Sequence, residues 1–179
     1  MRIFLGLGTN LGDRDANLVR AKDLLVKNGV MILGQSQVLE TAPLYGVKQP
    51  DYLNQVVEAK WEAQEARAQA SAEELLFICK KIEKEMGRPV DLPISNVKFA
   101  CARAQSGGAW ARNESRIIDI DILFYGEEKV DIKNPPLNLL VPHHGVFERE
   151  FVVSGMRELA PEFFERMRKK STKNAKKFA

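Results

Sequence analysis

Two aspartates, Asp119 and Asp121, stand two positions apart inside RIIDIDILF, Arg116 to Phe124. The run is rich in isoleucine and bounded by polar residues, which predicts a strand. Period 2 assigns Ile118, Ile120, Ile122 and Phe124 to one face, and Asp119, Asp121 and Leu123 to the other. The two carboxylates then sit side by side, roughly 6–7 Å apart at Cα. Aspartate is depleted in strands and like charges repel. With little else positive on that face, the pair demands a compensating cation. Mg²⁺, commonly held by one or two carboxylates together with substrate phosphates, suits it. A solvated outer face with two ordinary surface carboxylates is the open alternative. On the metal reading, Ala at either position is expected to abolish turnover. The fold is expected to survive and even to gain stability, because a like-charge pair is removed.

The elements that must position this pair follow from periodicity. Arg2 to Leu7 reads as a short apolar strand entering GLGTNLGDR, with glycines at 6, 8 and 12. A helix follows, capped by Asp13 or Asp15, with Leu18, Ala21, Leu24 and Leu25 on its apolar side and Asn28-Gly29 at its end. The glycine run resembles a phosphate-cradling turn, but a dinucleotide site needs a βαβ crossover. Instead Val30 to Thr41 and Tyr52 to Trp61 read as consecutive strands without a helix between them. Strand, helix, strand, strand opens a split βαβ, ferredoxin-like arrangement. In the later strand Leu53, Val57, Ala59 and Trp61 share one face, and Tyr52, Asn54 and Val56 the other. Tyr52 and Asn54 could stack on and hydrogen-bond a flat heterocycle, or they could serve local packing and a turn.

Glu62 to Ala70 reads as a linker or short exposed helix, and Ser71 to Glu74 as a capping box opening a longer helix. Leu75, Ile78, Cys79, Ile82 and Met86 form its core stripe, and Gly87 closes it. Residues 89–115 lack periodicity and carry Lys98, Arg103, Trp110 and Arg112, as a lid over a nucleotide triphosphate would. Tyr125 to Val130 reads as a hairpin supplying an antiparallel neighbour to the aspartate strand. His143 and His144 are adjacent, and adjacent histidines rarely converge on one ion, so a donor to phosphate is the better role for one of them. Arg149 and Phe151 open the last helix, which runs through Met156 and Leu159.

At 179 residues the chain suits one domain with a real core. No apolar run approaches the 18 or so residues of a membrane span, and the first residues lack signal-peptide architecture. Cys79 and Cys101 lack metal-type spacing, which suits reduced thiols in the cytoplasm. The net charge of +3 is uneven: setting aside Arg166, Arg168, Lys169, Lys170, Lys173, Lys176 and Lys177 leaves the body at −4. The domain is therefore placed at 1–165, with 166–179 a basic, solvated and disordered tail. Truncation after Phe164 is expected to leave melting temperature and kinetics unchanged.

GLGTNLGD, TAPLYGVKQPDYLN, RIIDIDILF, VPHHGVFEREFV and ELAPEF together resemble, in order and spacing, the hydroxymethyl-dihydropterin pyrophosphokinases of folate synthesis. The resemblance runs from Arg2 to Phe163. It implies a ferredoxin-like α+β sandwich, with a mostly antiparallel sheet, that moves pyrophosphate from ATP onto a pterin hydroxymethyl group and leaves AMP. Asp119 and Asp121 resemble the ligands of two Mg²⁺ ions. Tyr52 and Phe151 resemble the aromatic pair around the pterin, Asn54 its edge reader, and Thr41, Ala42 and Leu44 its backbone contacts. Arg88 and Arg116 resemble the arginines flanking the phosphates. His143, Arg149 and Glu83 resemble further ATP contacts. The glycine turn then shapes the pterin side and is no phosphate cradle.

The resemblance also implies a monomer or weak oligomer without membrane or nucleic-acid partners. WARNESR replaces the usual short W-G-x-R run, the loop is longer, VVSGMREL follows Phe151, and His144 stands where an aromatic or proline is usual. These departures bear on turnover rate and lid mechanics. Two other classes stay open from the residues themselves. A metal-dependent glycosyltransferase would use the Asp-x-Asp but not Tyr52, Asn54 and Phe151. A ferredoxin-like nucleic-acid-binding module would use the basic tail but not the aspartates.

Overall fold

The apolar run after Met1 forms β1 (Arg2–Thr9), the strand about which the sheet is built. The computed structural model describes residues 1–43, 48–62, 68–88, 115–135 and 137–175. Helix α1 (Arg14–Lys27) opens at Asp13, whose Oδ1 accepts the Ala16 N–H at 3.0 Å. It ends at Asn28 before Gly29, whose φ of 89° suits a residue without a Cβ. Two short strands follow, β2 (Met31–Gln35) and β3 (Leu39–Thr41), where the sequence suggests one long strand. Both pair with β4 (Tyr52–Lys60). After α2 (Ala68–Glu85) comes β5 (Asp119–Tyr125), the aspartate strand. The order β2-β4-β1-β5, antiparallel throughout, is that of a ferredoxin-like α+β sheet.

Alternation sorts the sheet into two apolar faces. On one, Ile3, Leu5 and Leu7 meet Leu53, Val57 and Ala59 of β4 and Ile120 and Ile122 of β5, under α1 and α2. On the other, Phe4, Val56, Leu123 and Phe124 lie under α3 (Glu150–Leu159) and α4 (Pro161–Ala175). Gly155 permits that packing, since a Cβ there would stand 2.6 Å from Val56 Cγ2. The second face also includes Gly6 and Gly8 of β1, Tyr52 and Asn54 of β4, and Asp119 and Asp121 of β5. This half of the face is floored by glycines and lies open. The site is built there.

Several expectations are corrected by the structure. Phe124 leaves the isoleucine face: β1 pairs Phe4 with Phe124 but Leu5 with Ile122, so Leu123 is one extra residue. The bulge brings Leu123 and Phe124 into one cluster and returns Tyr125 to the other. Ser71 caps nothing. It lies inside α2, buried, with its hydroxyl paired to Tyr125 OH, because α2 already includes Ala68. The turn after Tyr125 gives β5 no hairpin partner; β6 (Val130–Asn134) pairs instead with β7 (Leu137–Val141) as a separate ribbon. Its apolar residues Val130, Ile132, Leu137, Leu139 and Val141 face the α2 core, which explains the exchange.

The basic stretch from Arg166 is not a disordered tail in the described residues. Helix α4 carries through it, Met167 is buried beside Phe163 and Phe164, and Arg166 and Lys170 both bind Glu127. The spacing of Phe163, Phe164 and Met167 continues the apolar stripe by one more turn. Truncation after Phe164 is therefore expected to lower the melting temperature. Met167→Ala alone should cost about 2 kcal/mol, roughly 4–8 °C for a domain of this size. Thermal unfolding of both variants checks this; an unchanged melting temperature would restore the free-tail reading.

Candidate active site

The open half of the second face forms a cleft of ≈ 980 Å³. Thr41, Ala42, Tyr52, Asn54, Arg116, Asp119, Asp121, Arg149 and Phe151 all line it. Tyr52 and Phe151, about a hundred positions apart, are thus brought to one cavity by the packing of α3 on β4. Tyr52 is oriented by its hydroxyl, which donates to Gln49 Oε1 at 3.1 Å. Asn54 Nδ2 donates to Thr41 Oγ1 at 2.8 Å, which fixes the amide plane. Its Oδ1 faces Gly8, where a Cβ would come within 2.9 Å. The glycines at 6 and 8 are therefore strand residues that leave the floor bare, not part of a turn. Leu44 and the loop cations Lys98, Arg103 and Arg112, with Trp110, lie outside the described residues.

The aspartates are not short of positive charge, contrary to the sequence reading. Arg88 binds Asp119 Oδ1, and Arg116 Nη1 donates to Asp119 Oδ2 at 2.5 Å. Arg149 Nη1 donates to Asp121 Oδ2 at 3.2 Å, and His143 Nε2 stands 4.0 Å from the same oxygen. Burial opposes ionisation of Asp119, but Lys80, Arg88 and Arg116 outweigh it and hold the carboxyl well below the usual range. Removing either aspartate therefore strips partners from arginines and does not relieve a bare like-charge pair.

How Arg88 reaches Asp119 is local chemistry. Gly87, at φ 100°, ends α2, and the Arg88 N–H turns back to the Glu83 carbonyl at 2.9 Å. Glu83 then accepts from Arg88 Nη1 at 2.8 Å, from Lys80 Nζ at 2.7 Å, and from the Ile120 N–H at 2.9 Å. Burial, reinforced by Asp119, pushes the Glu83 carboxyl above its ordinary value, while Lys80 and Arg88 pull it down. Glu83 is 0 % exposed, so it is corrected from a nucleotide contact to a support beneath the aspartate strand. His143 also sits behind the cleft. Its Nδ1 accepts the Gly145 N–H at 3.2 Å, and the exposed His144 lines the wall instead.

Sequence reasoning missed three residues here. Asn10, 1 % exposed, exchanges bonds with Arg116: its Oδ1 accepts the Arg116 N–H at 2.7 Å, and its own N–H reaches the Arg116 carbonyl. Its Nδ2 also donates to Gln49 Oε1 and the Pro50 carbonyl, joining both walls of the cleft. Gln49 and Lys80 were likewise passed over. The one sequence signal near them is the TNLGD stretch that carries Asn10.

The arrangement is thus a ferredoxin-like α+β sandwich whose open sheet face joins aromatic walls to a floor of carboxylates and guanidiniums. A family model described as 7,8-dihydro-6-hydroxymethylpterin-pyrophosphokinase (HPPK) matches residues 4–161. The chain belongs to that family. It is 35% identical over 159 residues to the mitochondrial folate synthesis bifunctional protein of Pisum sativum, covering 88% of this chain and 25% of that protein. It is 31% identical over 171 residues to the folate synthesis bifunctional protein of Chlamydia muridarum, covering 93% and 32%. Folic acid synthesis protein fol1 of Schizosaccharomyces pombe is 30% identical over 160 residues, covering 89% and 18%. The chain therefore spans about a quarter of the length of such relatives.

Proposed function

We propose that the chain transfers pyrophosphate from ATP to the hydroxymethyl group of 6-hydroxymethyl-7,8-dihydropterin, releasing AMP, in tetrahydrofolate synthesis. The observation that carries this is the single cleft shared by Tyr52, Asn54 and Phe151 with Asp119, Asp121, Arg116 and Arg149. A bond forms between the pterin alcohol oxygen and the β-phosphorus, and the bond from that phosphorus to the α,β-bridging oxygen breaks. AMP leaves on that oxygen, and the alcohol proton is released to solvent. No side chain is assigned as general base. The protein's work is positioning and charge balance. Tyr52 and Phe151 hold the ring, Asn54 and Thr41 meet its edge, and the arginines receive nonbridging oxygens in bidentate fashion.

Two Mg²⁺ ions complete the reading. Asp119 and Asp121 are hard oxygen donors that line the open cleft on one strand face. No cluster of three or more His, Cys, Asp or Glu side chains accompanies them among the described residues. That donor set fits a cation completed by water and phosphate, not one caged by protein. Bound there, Mg²⁺ would neutralise charge on the polyphosphate. The nucleic-acid module would leave the aspartates that line the cleft without a role. Among the described residues no helix is long and apolar enough to cross a membrane. A cytoplasmic monomer or weak oligomer is the proposed setting.

Mass spectrometry of ATP incubated with protein, Mg²⁺ and the hydroxymethyl pterin tests the function. AMP with pterin pyrophosphate supports it; ATP left intact, or ADP with a pterin monophosphate, overturns it. The floor makes a further prediction. Gly8→Ala places a methyl against Asn54 Oδ1 and is expected to weaken pterin binding roughly tenfold, about one lost hydrogen bond. Nucleotide affinity should stay close to wild type. Calorimetric titration with each ligand checks the split.

A further inference from the structure

The two oxygens of Asp119 are both taken. Arg88 holds Oδ1 and Arg116 holds Oδ2. The Arg88 guanidinium is anchored from behind by Glu83 Oε2 at 2.8 Å, and the Arg116 backbone is fixed by its exchange with Asn10. Arg116, Asp119 and Arg88 nevertheless keep 18, 22 and 24 % of their side-chain surface, so they can exchange partners without unpacking the core. Lys80, Arg88, Arg116 and Arg149 face Glu83, Asp119 and Asp121, so each of these carboxylates already holds cationic partners before any ligand arrives. A free dication approaching Asp119 has to displace charge-assisted hydrogen bonds, among the strongest a carboxylate makes. A polyphosphate offers the same guanidiniums a better bidentate partner.

We propose that Arg88 and Arg116 act as a surrogate cation at Asp119, closing it to free divalent metal until a polyphosphate draws the two guanidiniums away. This rests on the metal reading above. Metal and nucleotide affinities are then coupled through two named side chains, and linkage requires each ligand to strengthen the other by the same factor. The roles also differ within the arginine set. Arg149 contacts Asp121 at 3.2 Å, a looser hold, so Asp121 is the carboxylate left more accessible to a cation in the ligand-free protein.

The test is Mn²⁺ binding to the full chain, read by the electron paramagnetic resonance signal of the free ion and not by turnover. Wild type, Arg88→Met and Arg116→Met are compared without nucleotide and with an ATP analogue whose α,β-bridge is methylene. Without nucleotide, each Met variant is expected to bind Mn²⁺ on the order of tenfold tighter than wild type, one competing charge-assisted bond having gone. With the analogue the advantage should vanish or reverse. Met variants that bind Mn²⁺ no tighter than wild type, including the case where none binds, overturn the proposal. Arg116→Lys guards against misfolding, since it keeps the charge but not the planar fork; it should fall between wild type and Arg116→Met, and wild-type affinity there also overturns it. Asp119→Asn with Asp121→Asn separates the underlying reading: if that double variant binds Mn²⁺ with the analogue as well as wild type does, the aspartates are not the metal ligands.

Discussion

Asp119→Ala is expected to lower turnover by about three orders of magnitude or more, the scale on which charge stabilisation in transfer sites operates. It is also expected to destabilise the protein, the reverse of what two adjacent carboxylates suggest in isolation. Arg88 and Arg116 would each lose a partner in a partly buried setting. Stripping one member from a buried charge pair costs about 3–5 kcal/mol. With about a fifth of each side chain exposed, a discounted figure of about 1–3 kcal/mol is appropriate. The pH dependence has a definite sign. The Asp119 carboxyl is depressed in the folded protein, so its contribution is complete above the ordinary carboxylate range. It is lost as pH falls through that range toward the lower folded value. The stability difference between wild type and Asp119→Asn should therefore be constant above about pH 5 and shrink below about pH 4. Urea titrations at several pH values measure it. Full activity, or a difference that does not shrink in acid, would sink the assignment of Asp119 as a paired, working carboxylate.

Loss of either aromatic wall should show chiefly at the pterin. Tyr52→Ala or Phe151→Ala removes one stacking face, on the order of 1–3 kcal/mol by analogy with bases on aromatic side chains. That is one to two decades in pterin affinity. Binding of an unreactive ATP analogue should change little, because the aspartates lie on β5, with β1 between it and β4, and Arg88, Arg116 and Arg149 lie outside the strands and are untouched. Phe151 is partly packed against the cluster containing Val152 and Met156, so its Ala variant should also melt somewhat lower. Among the described residues the Tyr52 hydroxyl is tied to Gln49, and its Phe variant should retain most of the affinity. Separate titrations with pterin and analogue read both arms. Pterin affinity unmoved in both Ala variants would make the two aromatics wall packing and remove the substrate end of the proposed function.

Local rules carried the sequence reading far, and their limit is physical. Alternation placed Leu53, Val57 and Ala59 opposite Tyr52, Asn54 and Val56, as found, because side-chain direction in a strand is set by the residue's own backbone. The stripe of α2 and the ends of α1 were legible for the same reason. The resemblance of spaced motifs also reached the residues that line the cleft. What it could not reach was pairing across the chain. Arg88 meets Asp119 across 31 positions, and Asn10 meets Arg116 across 106; no periodicity encodes either. The bulge at Leu123 depends on the register that β1 imposes, so Phe124 changes face for a reason outside its own strand. Ser71, Glu83 and Met167 were misjudged because burial is decided by what packs above a residue, not by its type. The chain by itself determined which faces are apolar and which residue types gather for chemistry. Only the tertiary structure decided that the aspartates already hold cations of their own.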